Sequence, residues 1–415
     1  MIEWIILGVS FLSLYVGVFW LHVVSFQEKV KKDTNYFPLV SLIVPARNEE
    51  KGLWKTVHSL VSVDYPKEKL EIIIVDHGST DKTAEIAKQV IAQYPSYKII
   101  LVEKKRQQDE MKAHAFNAGL AYAKGEFIAC VDADTLVMRN CLREMVAYFE
   151  DAQVGAVIST IKVQQAKNMY EKIQHLEYIF ATFTRSLMSK IDTLHVTPGA
   201  LSIYRKSLFD KYGGFDENNI TEDLEMAMRL RYHHYTIKLA QNSITYTKVP
   251  DTFQSLWNQR VRWFRGFIYN SIKYRKMIFN KKYNLIGSFQ YPLNILTLFT
   301  LVLMFILLSY TIITTIITQF SKLHAIGWEY FAFDVNNIPT IKELFLNMNI
   351  LLLFPIAISF LIALLIYHLA HKSLKEKWKY PFALGSYLTI YPFLRSLHWI
   401  VAVYKEIFQT KNKWK

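Results

Sequence analysis

Two carboxylates stand at the end of a short apolar run, where they could hold a metal ion. Asp132 and Asp134, with one alanine between them, follow an apolar run that begins at Ile128. Such a run, preceded by Gly125, is typical of a strand buried on both faces of a parallel α/β sheet. In such sheets ligands bind at the carboxyl ends of the strands. The alternative is a polar turn whose acids cap the next helix.

A divalent cation is the chemistry that would best use such paired acids. Mg²⁺ and Mn²⁺ prefer oxygen ligands and are commonly held by one or two carboxylates together with substrate phosphates. The pair therefore predicts a site for a divalent metal and a diphosphate, whose charge needs neutralising when it departs. Asp134 is the candidate metal ligand, and Asp132 either supports it or contacts a ribose.

Polar segments also follow two earlier apolar runs. The first run is followed by residues 45–50 (Pro-Ala-Arg-Asn-Glu-Glu), and the second by residues 76–81 (Asp-His-Gly-Ser-Thr-Asp). Each segment alone is explained by turn and helix-capping chemistry, because Asp, Asn, Ser and Gly are favoured there. Three such segments at the carboxyl ends of strands in one sheet are better explained by a shared binding crevice.

The elements that must position these side chains alternate between strand and helix patterns. Helix-period segments cover residues 80–94 and 112–123. The short apolar runs cover residues 40–44, 70–75, 97–102, 127–131 and 154–159. This alternation predicts an α/β fold with a mainly parallel sheet that carries helices on both faces. The dinucleotide and phosphate-loop fingerprints do not occur, so those two kinds of nucleotide site are not expected.

Long apolar blocks predict membrane spans. They cover residues 3–26, 286–320, 348–370 and 381–403, each near or beyond the roughly 20 residues that a helix needs to cross a bilayer. The first block has its basic residues behind it and no clear cleavage site, which favours a retained anchor over a signal peptide. The fourth contains Arg395 and His398, so it either crosses, lies along the interface or lines a cavity. We expect three or four spans.

Lysines in the short flanks orient these spans. They are Lys29, Lys31 and Lys32 after the first block, and Lys372, Lys375, Lys377 and Lys379 after the third. The positive-inside rule places both flanks on the cytoplasmic side. We therefore expect a multi-pass protein of the cell membrane, with the region from about residue 35 to 280 in the cytosol.

The net charge of +14 is high enough to suit either nucleic acid or anionic lipid. The basic residues just before the second block are Arg260, Arg262, Arg265, Lys273, Arg275, Lys276, Lys281 and Lys282. That placement favours lipid headgroups, and no nucleic-acid-binding signature occurs, so no nucleic-acid partner is expected. Residues 252–274 mix aromatic residues with arginines, which predicts an amphipathic helix in the headgroup plane.

Four motifs in this order carry a resemblance to a known family: Asp76, Asp132-Ala-Asp134, Thr221-Glu-Asp223 and Gln259-Arg-Val-Arg-Trp263. The set resembles the family 2 inverting glycosyltransferases of the membrane-bound cellulose, chitin and hyaluronan synthase type. The match covers about residues 40–266 and extends to the flanking membrane segments. It implies a GT-A nucleotide-sugar fold, a divalent metal (Mn²⁺ or Mg²⁺) and transfer from the cytosolic face.

The same resemblance implies roles for individual residues. Asp223 would be the catalytic base and Asp134 the metal ligand. The substrate contacts would be Pro45, Ala46, Asn48, Glu49 and Asp76 around the nucleoside, Lys112 and Asn117 near the diphosphate, Asp132, Glu222 and the acceptor-side loop with Gly199, and Gln259, Arg260, Arg262 and Trp263 over the diphosphate and under the acceptor sugar. His77 follows Asp76 where the family often has a second acid or an asparagine, which leaves the nucleobase contacts open.

Elementary chemistry supports a base at Asp223 without the family. Thr221 to Asp223 precede a helix-forming run at residues 224–230, and anions are stabilised at helix starts. An ionised carboxylate there can accept the proton of an acceptor hydroxyl. The alternative is a helix cap with no catalytic duty. For Trp263 the alternative is an interfacial anchor, and Arg260 and Arg262 could divide between phosphate and lipid headgroups.

The predicted organisation has four parts: an N-terminal transmembrane anchor (1–34), a cytosolic GT-A domain (35–250), an amphipathic interfacial region (251–284) and a C-terminal transmembrane region (285–415). The predicted function is metal-dependent, inverting transfer of a hexose from GDP-mannose or a UDP-sugar to a lipid-linked or growing glycan acceptor. A processive polysaccharide synthase is the alternative. A hypothesis of another class is a membrane scaffold or transporter with a regulatory nucleotide-binding domain; Asp223 and the 259–263 motif argue against it.

Overall fold

The computed structural model describes residues 2–26, 36–327 and 350–408. Several predicted features lie outside these residues: the flank with Lys29, Lys31 and Lys32, the boundary near residue 34, the first two residues of the third apolar block, and the chain end beyond residue 408. The chain divides into two compact units. The helical unit comprises residues 1–26 and 293–376, and the sheet unit comprises residues 27–292 and 377–415.

Helices and strands are numbered here in chain order. The helices are α1 (Ile2–Val24), α2 (Leu53–Val61), α3 (Thr83–Gln93), α4 (Lys112–Leu120), α5 (Cys141–Val146), α6 (Met169–Lys190), α7 (Lys206–Tyr212), α8 (Glu222–Tyr232), α9 (Phe253–Lys273), α10 (Tyr291–Ile326), α11 (Ile350–Ser373) and α12 (Pro381–Ile407). The strands are β1 (Val40–Ala46), β2 (Leu70–Asp76), β3 (Lys98–Glu103), β4 (Phe127–Cys130), β5 (Leu136–Val137), β6 (Val154–Val163), β7 (Ser202–Arg205) and β8 (Thr236–Thr247).

The strands form one mixed sheet, in the order β3-β2-β1-β4-β7-β6-β8-β5. Strands β3, β2, β1 and β4 are parallel, as are β6 and β8. The short strand β7 runs antiparallel to both of its neighbours, and β5 runs antiparallel to β8. All five predicted strands are present, and the predicted α/β class is confirmed. The three strands that were not predicted supply the antiparallel pairs.

Helices cover both faces of the sheet because the strands are apolar on both sides. In β1, Leu42 and Val44 pack in a core with residues of α2 and α3 such as Leu60. Ile43, between them, packs on the opposite face with Phe116 of α4 and residues of α8. This two-sided burial explains why the strand is a continuous apolar run rather than an alternating one.

Three helices are long and apolar enough to cross a membrane: Glu3–Val24, Ile286–Ile326 and Leu353–Ser373. In the helical unit, α1 and α11 pack closely. Ser359 donates a hydrogen bond to the carbonyl of Ser10 at 3.2 Å, and a Cβ at Gly17 would lie 2.8 Å from Ile362. The three candidate spans correspond to the first three predicted apolar blocks.

The fourth apolar block differs from the first three in its packing. It forms α12, which is not among the candidate spans found in the described residues and belongs to the sheet unit, where it packs against α9 and α6. The ring of Trp399 stacks on Phe264 of α9 with a 4.0 Å centroid distance. The organisation predicted from sequence placed all of 285–415 in a membrane region, whereas residues from 377 onward group with the sheet.

The packing of α12 also concerns α9, which the sequence predicted to be an amphipathic helix in the headgroup plane. Its apolar side chains Phe264 and Trp257 contact Trp399 and His398 of α12, so part of the apolar face is buried within the protein. Other apolar side chains of α9, such as Ile272, remain exposed. Some apolar side chains of α9 therefore pack against α12, and others are exposed.

Candidate active site

The loop after β1 is tied by hydrogen bonds to the loop after β2. Asn48 has a φ of 55°, and its backbone N–H donates to Ser79 Oγ at 3.1 Å. Its side-chain oxygen accepts from the N–H of Thr80 at 2.9 Å. The N–H of Glu49 donates to Thr83 Oγ1 at 2.8 Å. These bonds fix the backbone of two predicted nucleoside-pocket residues.

Asp76 lies at the carboxyl end of β2, beside the end of β1. It pairs in register with Ala46, the residue after Pro45, and the N–H of His77 donates to the Ala46 carbonyl at 2.9 Å. One oxygen of the Asp76 carboxylate accepts from the N–H of Ser79 at 3.3 Å. The structure thus brings the predicted residues of β1 and β2 to one edge of the sheet.

His77 is buried and its ring is directed at the loop that leads into α4. Its Nε2 lies 2.8 Å from Glu110 Oε2, and Glu110 also pairs with Lys104 and accepts from the N–H of Gln107 at 3.2 Å. His77 therefore anchors the 104–110 loop, two residues before Lys112, the first residue of α4.

Lys112 and Asp132 form an ion pair at the carboxyl end of β4. The N–H of Asp132 donates to the carbonyl of Gly199 at 3.0 Å. A Cβ at Gly199 would lie 2.8 Å from Asp132 Oδ1 and 3.0 Å from Lys112 Nζ, so only glycine leaves the pair its room. Burial lowers the pKa of Lys112, but Asp132, Glu222 and Asp223 outweigh it and raise the pKa.

Asp134 is half-buried and its carboxylate accepts no hydrogen bond from any described residue. Burial raises its pKa to about 7, and the nearby carboxylates of Asp132 and Glu49 add to the rise. Lys112 and Lys248 act in the opposite direction. An acid in this setting would be stabilised in its ionised form by a bound cation.

These acids fit the divalent metal predicted from the sequence. Over residues 2–26, 36–327 and 350–408, no three His, Cys, Asp or Glu side chains converge into a complete cage. Mg²⁺ and Mn²⁺ do not need one, because they commonly use one or two carboxylates with substrate phosphates and water. The side chain of Asp134, which accepts no hydrogen bond from a described residue, could supply that carboxylate. Asp132 is already engaged by Lys112.

Asp223 and Glu222 open helix α8, as the sequence predicted. Thr221 precedes the helix, and Asp223 Oδ1 accepts from the N–H of Leu224 at 2.8 Å. Burial is the largest influence on Asp223 and raises its pKa, although Lys112 acts against it. Burial likewise raises the pKa of Glu222 to about 7. The helix start thus holds two acids in a desolvated setting.

The acceptor-side loop joins Asp223 to the end of β4. Thr197 Oγ1 donates to the backbone carbonyl of Asp223 at 2.6 Å, while Gly199, two residues on, accepts from Asp132. Residues predicted from three separate motifs are therefore connected through one short loop. The structure brings Lys112, Asp132 and Asp223 together.

Helices α8 and α9 approach each other closely at Gly266. A Cβ at this position would lie 2.1 Å from Thr221 Oγ1. Asn270, one turn further along α9, donates to Thr221 Oγ1 at 3.1 Å and exchanges hydrogen bonds with Asn219. Because Thr221 is two residues before Asp223, this contact sets where the proposed base stands relative to α9.

Arg260, which the sequence predicted to contact substrate, is engaged by other protein groups. Its side chain is 1% exposed, and it forms an ion pair with Glu177 of α6 at 2.6 Å. Its Nε donates to the hydroxyl of Tyr391 of α12 at 3.3 Å. The guanidinium is thus engaged by protein groups inside a contact between three helices, because α6 and α12 cover that side of α9.

Arg262 and Trp263 remain available to a ligand. Both are half-buried, and no described side chain forms a hydrogen bond or ion pair with Arg262. Burial raises the pKa values of Glu222 and Asp223, and the charge of Arg262 is among the influences that act against this rise. The ring of Trp263 lies 4.2 Å from the guanidinium carbon of Arg260.

Asn117 stabilises a loop. Its Nδ2 donates to the carbonyl of Phe215 at 2.9 Å and to Glu217 Oε1 at 2.8 Å, and its Oδ1 accepts from the N–H of Phe215 at 2.8 Å. These contacts occupy its amide, although the sequence predicted a place near the diphosphate.

Helix α6 contributes residues that sequence reasoning missed. Tyr178 and Arg185 are both half-buried, and no described residue forms a hydrogen bond with either side chain. Arg185 interacts electrostatically with Asp223, and Tyr178 with Asp134. They are seven residues apart, which places them on one face of the helix. The helical spacing of residues 169–190 was the available signal.

Comparison with known proteins relates part of the chain to a family of enzymes. Residues 41–213 match the profile of the family described as Glycosyl transferase family 2. The chain is 30% identical over 272 residues to a probable glycosyltransferase of Bacillus subtilis, and 29% identical over 270 residues to a poly-β-1,6-N-acetyl-D-glucosamine synthase of Staphylococcus epidermidis. It is 30% identical over 243 residues to a β-monoglucosyldiacylglycerol synthase of Synechocystis.

These alignments cover 63%, 62% and 58% of this chain, and 63%, 64% and 50% of the respective relatives. The chain therefore spans less than two thirds of the length of the curated relatives it matches. A solved structure of a mannosyltransferase from Pyrobaculum calidifontis, in complex with GDP-Man and Mn²⁺, superposes with a TM-score of 0.66 at 20% identity. That match covers 99% of this chain and 100% of the other, and it confirms the predicted GT-A-type fold.

Proposed function

We propose that this chain, which carries a family 2 glycosyltransferase domain, is a membrane-embedded inverting enzyme that transfers a hexose from a nucleotide diphosphate sugar. The observation that carries the proposal is the arrangement around Lys112, which forms an ion pair with Asp132. The carboxylates of Asp132, Glu222 and Asp223 together raise the pKa of Lys112. A cation near these three acids, at the carboxyl edge of a sheet, is suited to a diphosphate leaving group beside a base.

Asp223 is the proposed base. In an inverting displacement the acceptor hydroxyl attacks the anomeric carbon from the face opposite the departing diphosphate, and a carboxylate must take its proton as the new bond forms. The raised pKa of Asp223, caused by burial first, makes the carboxylate a better proton acceptor than an exposed aspartate. Lys112 and, to a lesser extent, Arg262 act against that rise and favour the ionised form.

A divalent cation, Mn²⁺ or Mg²⁺, is the proposed cofactor. Asp134 would hold it, and when bound it would neutralise charge on the departing diphosphate. The mannosyltransferase with the similar fold was solved with Mn²⁺ and GDP-Man. GDP-mannose and UDP-sugars are therefore the donors to test, and Pro45, Ala46, Asn48, Glu49 and Asp76 are the proposed nucleoside contacts.

Lipid-linked glycan or glycolipid is the proposed acceptor, taken at the cytosolic membrane face. Three candidate spans support membrane embedding, and one relative is named for a glucosyldiacylglycerol product. A processive polysaccharide synthase is the second candidate, favoured by the relatives named for poly-β-1,6-N-acetyl-D-glucosamine. Product length separates the two, because a single transfer adds one sugar and a processive enzyme adds many.

The test uses the full chain in lipid nanodiscs with radiolabelled donors, Mn²⁺ and a membrane lipid extract. Transfer of label to lipid or to a polymer, with release of the nucleoside diphosphate, is expected for one donor. Binding of a nucleotide sugar without any release or transfer would support the regulatory scaffold and contradict the proposed enzyme. Removing the cation with EDTA should abolish the transfer.

A further inference from the structure

Glu177 is the centre of a buried network that joins helices α6, α9 and α12. Its Oε2 accepts hydrogen bonds from Arg260 Nη2 at 2.6 Å and from the Tyr391 hydroxyl at 2.9 Å. Arg260 also donates to Tyr391 through Nε at 3.3 Å. These contacts form a closed triangle, with one member on each of the three helices.

Arg260 connects this network to its neighbours on α9. Its Nη1 donates to Gln259 Oε1 at 2.5 Å, and its guanidinium lies over the ring of Trp263 at 4.2 Å. Its Nη2 also approaches Gln174 Oε1 at 3.4 Å. All three guanidinium nitrogens are thus occupied by protein groups, so the arginine orients other members of its motif.

The charge of Glu177 strengthens the hydrogen bonds of this network. Burial raises the pKa of Glu177, but Arg260 and Arg395 outweigh burial and lower the pKa below its ordinary value. The carboxylate therefore remains ionised beside the buried guanidinium. A charge-assisted hydrogen bond is shorter and about twice as strong as a neutral one, and a buried guanidinium that loses its partner must seek another or admit water.

We infer that Glu177 is a positioning residue for sugar transfer, acting through Arg260 to hold Gln259 and Trp263 where the acceptor binds. This role of Glu177 rests on the proposed transfer reaction, but its effect on the order of α9 can be measured without transfer activity. The donor-side groups Asp76 and Asp134 belong to strand ends and loops outside this network. Loss of the Glu177 charge should therefore impair use of the acceptor while sparing the donor.

Glu177→Gln tests the inference, with Glu71→Gln as the matched control. Glu71 is also a buried acid in an ion pair, 2.5 Å from Lys98, but it is the second residue of β2 (Leu70–Asp76), at the amino end of the strand whose carboxyl end carries Asp76. Both variants are made in the full chain in nanodiscs. The two measurements are kcat/KM for the acceptor and the Kd for the donor.

We expect Glu177→Gln to lower kcat/KM for the acceptor by about tenfold or more, because a small misplacement of substrate-orienting groups costs up to about 10²-fold. Its donor Kd should stay within about twofold of wild type. Glu71→Gln should lower thermal stability and leave both quantities unchanged. An equal loss of donor affinity in Glu177→Gln, or an unchanged kcat/KM, would overturn the inference.

Hydrogen exchange supplies a readout that does not depend on activity. Amides of residues 257–264 on α9 should exchange faster in Glu177→Gln than in wild type, and no faster in Glu71→Gln. Tyr391→Phe, which removes only a hydroxyl, should show a smaller change of the same kind and serves if Glu177→Gln does not fold. Unaltered exchange in Tyr391→Phe and in any folded Glu177→Gln would overturn the positioning role. A wild-type chain without transfer activity would instead refute the proposed function and leave the exchange comparison intact.

Discussion

The proposed donor side and the proposed acceptor side of the site are built by different means. On the donor side, loops at strand ends are held mainly by backbone N–H groups that donate to side-chain oxygens, as Thr80 does to Asn48, and the Asp134 carboxylate accepts no hydrogen bond from a described residue. On the acceptor side, helices are held by buried side-chain pairs such as Arg260 and Glu177. The donor side thus has a carboxylate that is open to a ligand, whereas on the acceptor side the charged side chains pair with one another.

This difference predicts how substitutions on each side should affect ligand binding and the fold. A change of the Asp134 side chain should remove a ligand contact without disturbing the fold, because its carboxylate takes no part in the hydrogen bonds among the described residues that hold these loops. An acceptor-side change should disturb the arrangement of whole helices, because side chains hold them together. The two sides should therefore fail in distinguishable ways.

The largest effect is expected on the donor side, from Asp134→Asn. The amide keeps the size of the side chain and removes its charge, so transfer should fall by at least about 10² and the response to Mn²⁺ should weaken, because a bound cation supplies several kcal/mol of charge stabilisation. A Mn²⁺ titration of initial rates measures both. Circular dichroism and melting temperature should stay near wild type.

Asp132→Asn is the matched comparison, because Asp132 already pairs with Lys112 and should be the less critical acid. If Asp134→Asn keeps the full rate and the wild-type Mn²⁺ response, Asp134 is no metal ligand. A collapse of the fold in Asp134→Asn would show that this carboxylate also supports the donor-side loops, contrary to the structure.

An intermediate effect is expected where α8 meets α9, from Gly266→Ala. The added Cβ would lie 2.1 Å from Thr221 Oγ1, and overpacking of this kind costs about 1–3 kcal/mol of unfolding free energy. Because Thr221 stands just before the proposed base, kcat for transfer should fall severalfold while donor Kd stays unchanged. Thermal unfolding and steady-state kinetics measure the two effects.

Gly385→Ala on α12 is the control, because a Cβ there meets nothing within 4 Å. It should leave activity unchanged and raise stability slightly, by up to about 1 kcal/mol, through better helix propensity. Equal behaviour of the two alanine variants would show that the contact between α8 and α9 is looser than the structure has it.

The smallest effect is expected from Asn117→Ala. The substitution leaves the backbone N–H and carbonyl of Phe215 without their partner, which costs about 1–3 kcal/mol of stability if both stay buried. Donor affinity should not change, since the amide is committed to the 215–217 loop. Isothermal calorimetry with the donor measures this, and a clear loss of donor affinity would restore the diphosphate contact predicted from sequence.

Local patterns made much of the sheet and of the donor side predictable. The apolar runs ended in acids at Asp76, Asp132 and Asp134, and the strands that carry them are present with small shifts at their ends. The start of α8 at Glu222 followed the same logic of a cap before a helical run. In each case the neighbours in sequence determine the structure, so spacing was informative.

The acceptor side was less predictable because distant residues determine it. Arg260 pairs with Glu177, which is 83 positions away, and with Tyr391, which is 131 positions away. No pattern near Arg260 reveals those partners, so its motif position suggested a ligand contact instead. Likewise α12 has a membrane-like composition, and its packing against α9 through Trp399 appears only in three dimensions.

Asp223→Asn provides the most direct test that this chain is an inverting glycosyltransferase with its base at the start of α8. The amide has nearly the shape of the acid but cannot accept the acceptor's proton. With Mn²⁺ and the donor identified by the assay above, sugar transfer should fall by about 10² to 10⁴, as is typical for loss of a general base, while calorimetry shows an unchanged donor Kd. Asp192→Asn, in an ion pair with Lys238, should retain the wild-type rate. Near-normal transfer by Asp223→Asn at unchanged donor affinity would contradict the assignment and leave Asp223 as a helix cap.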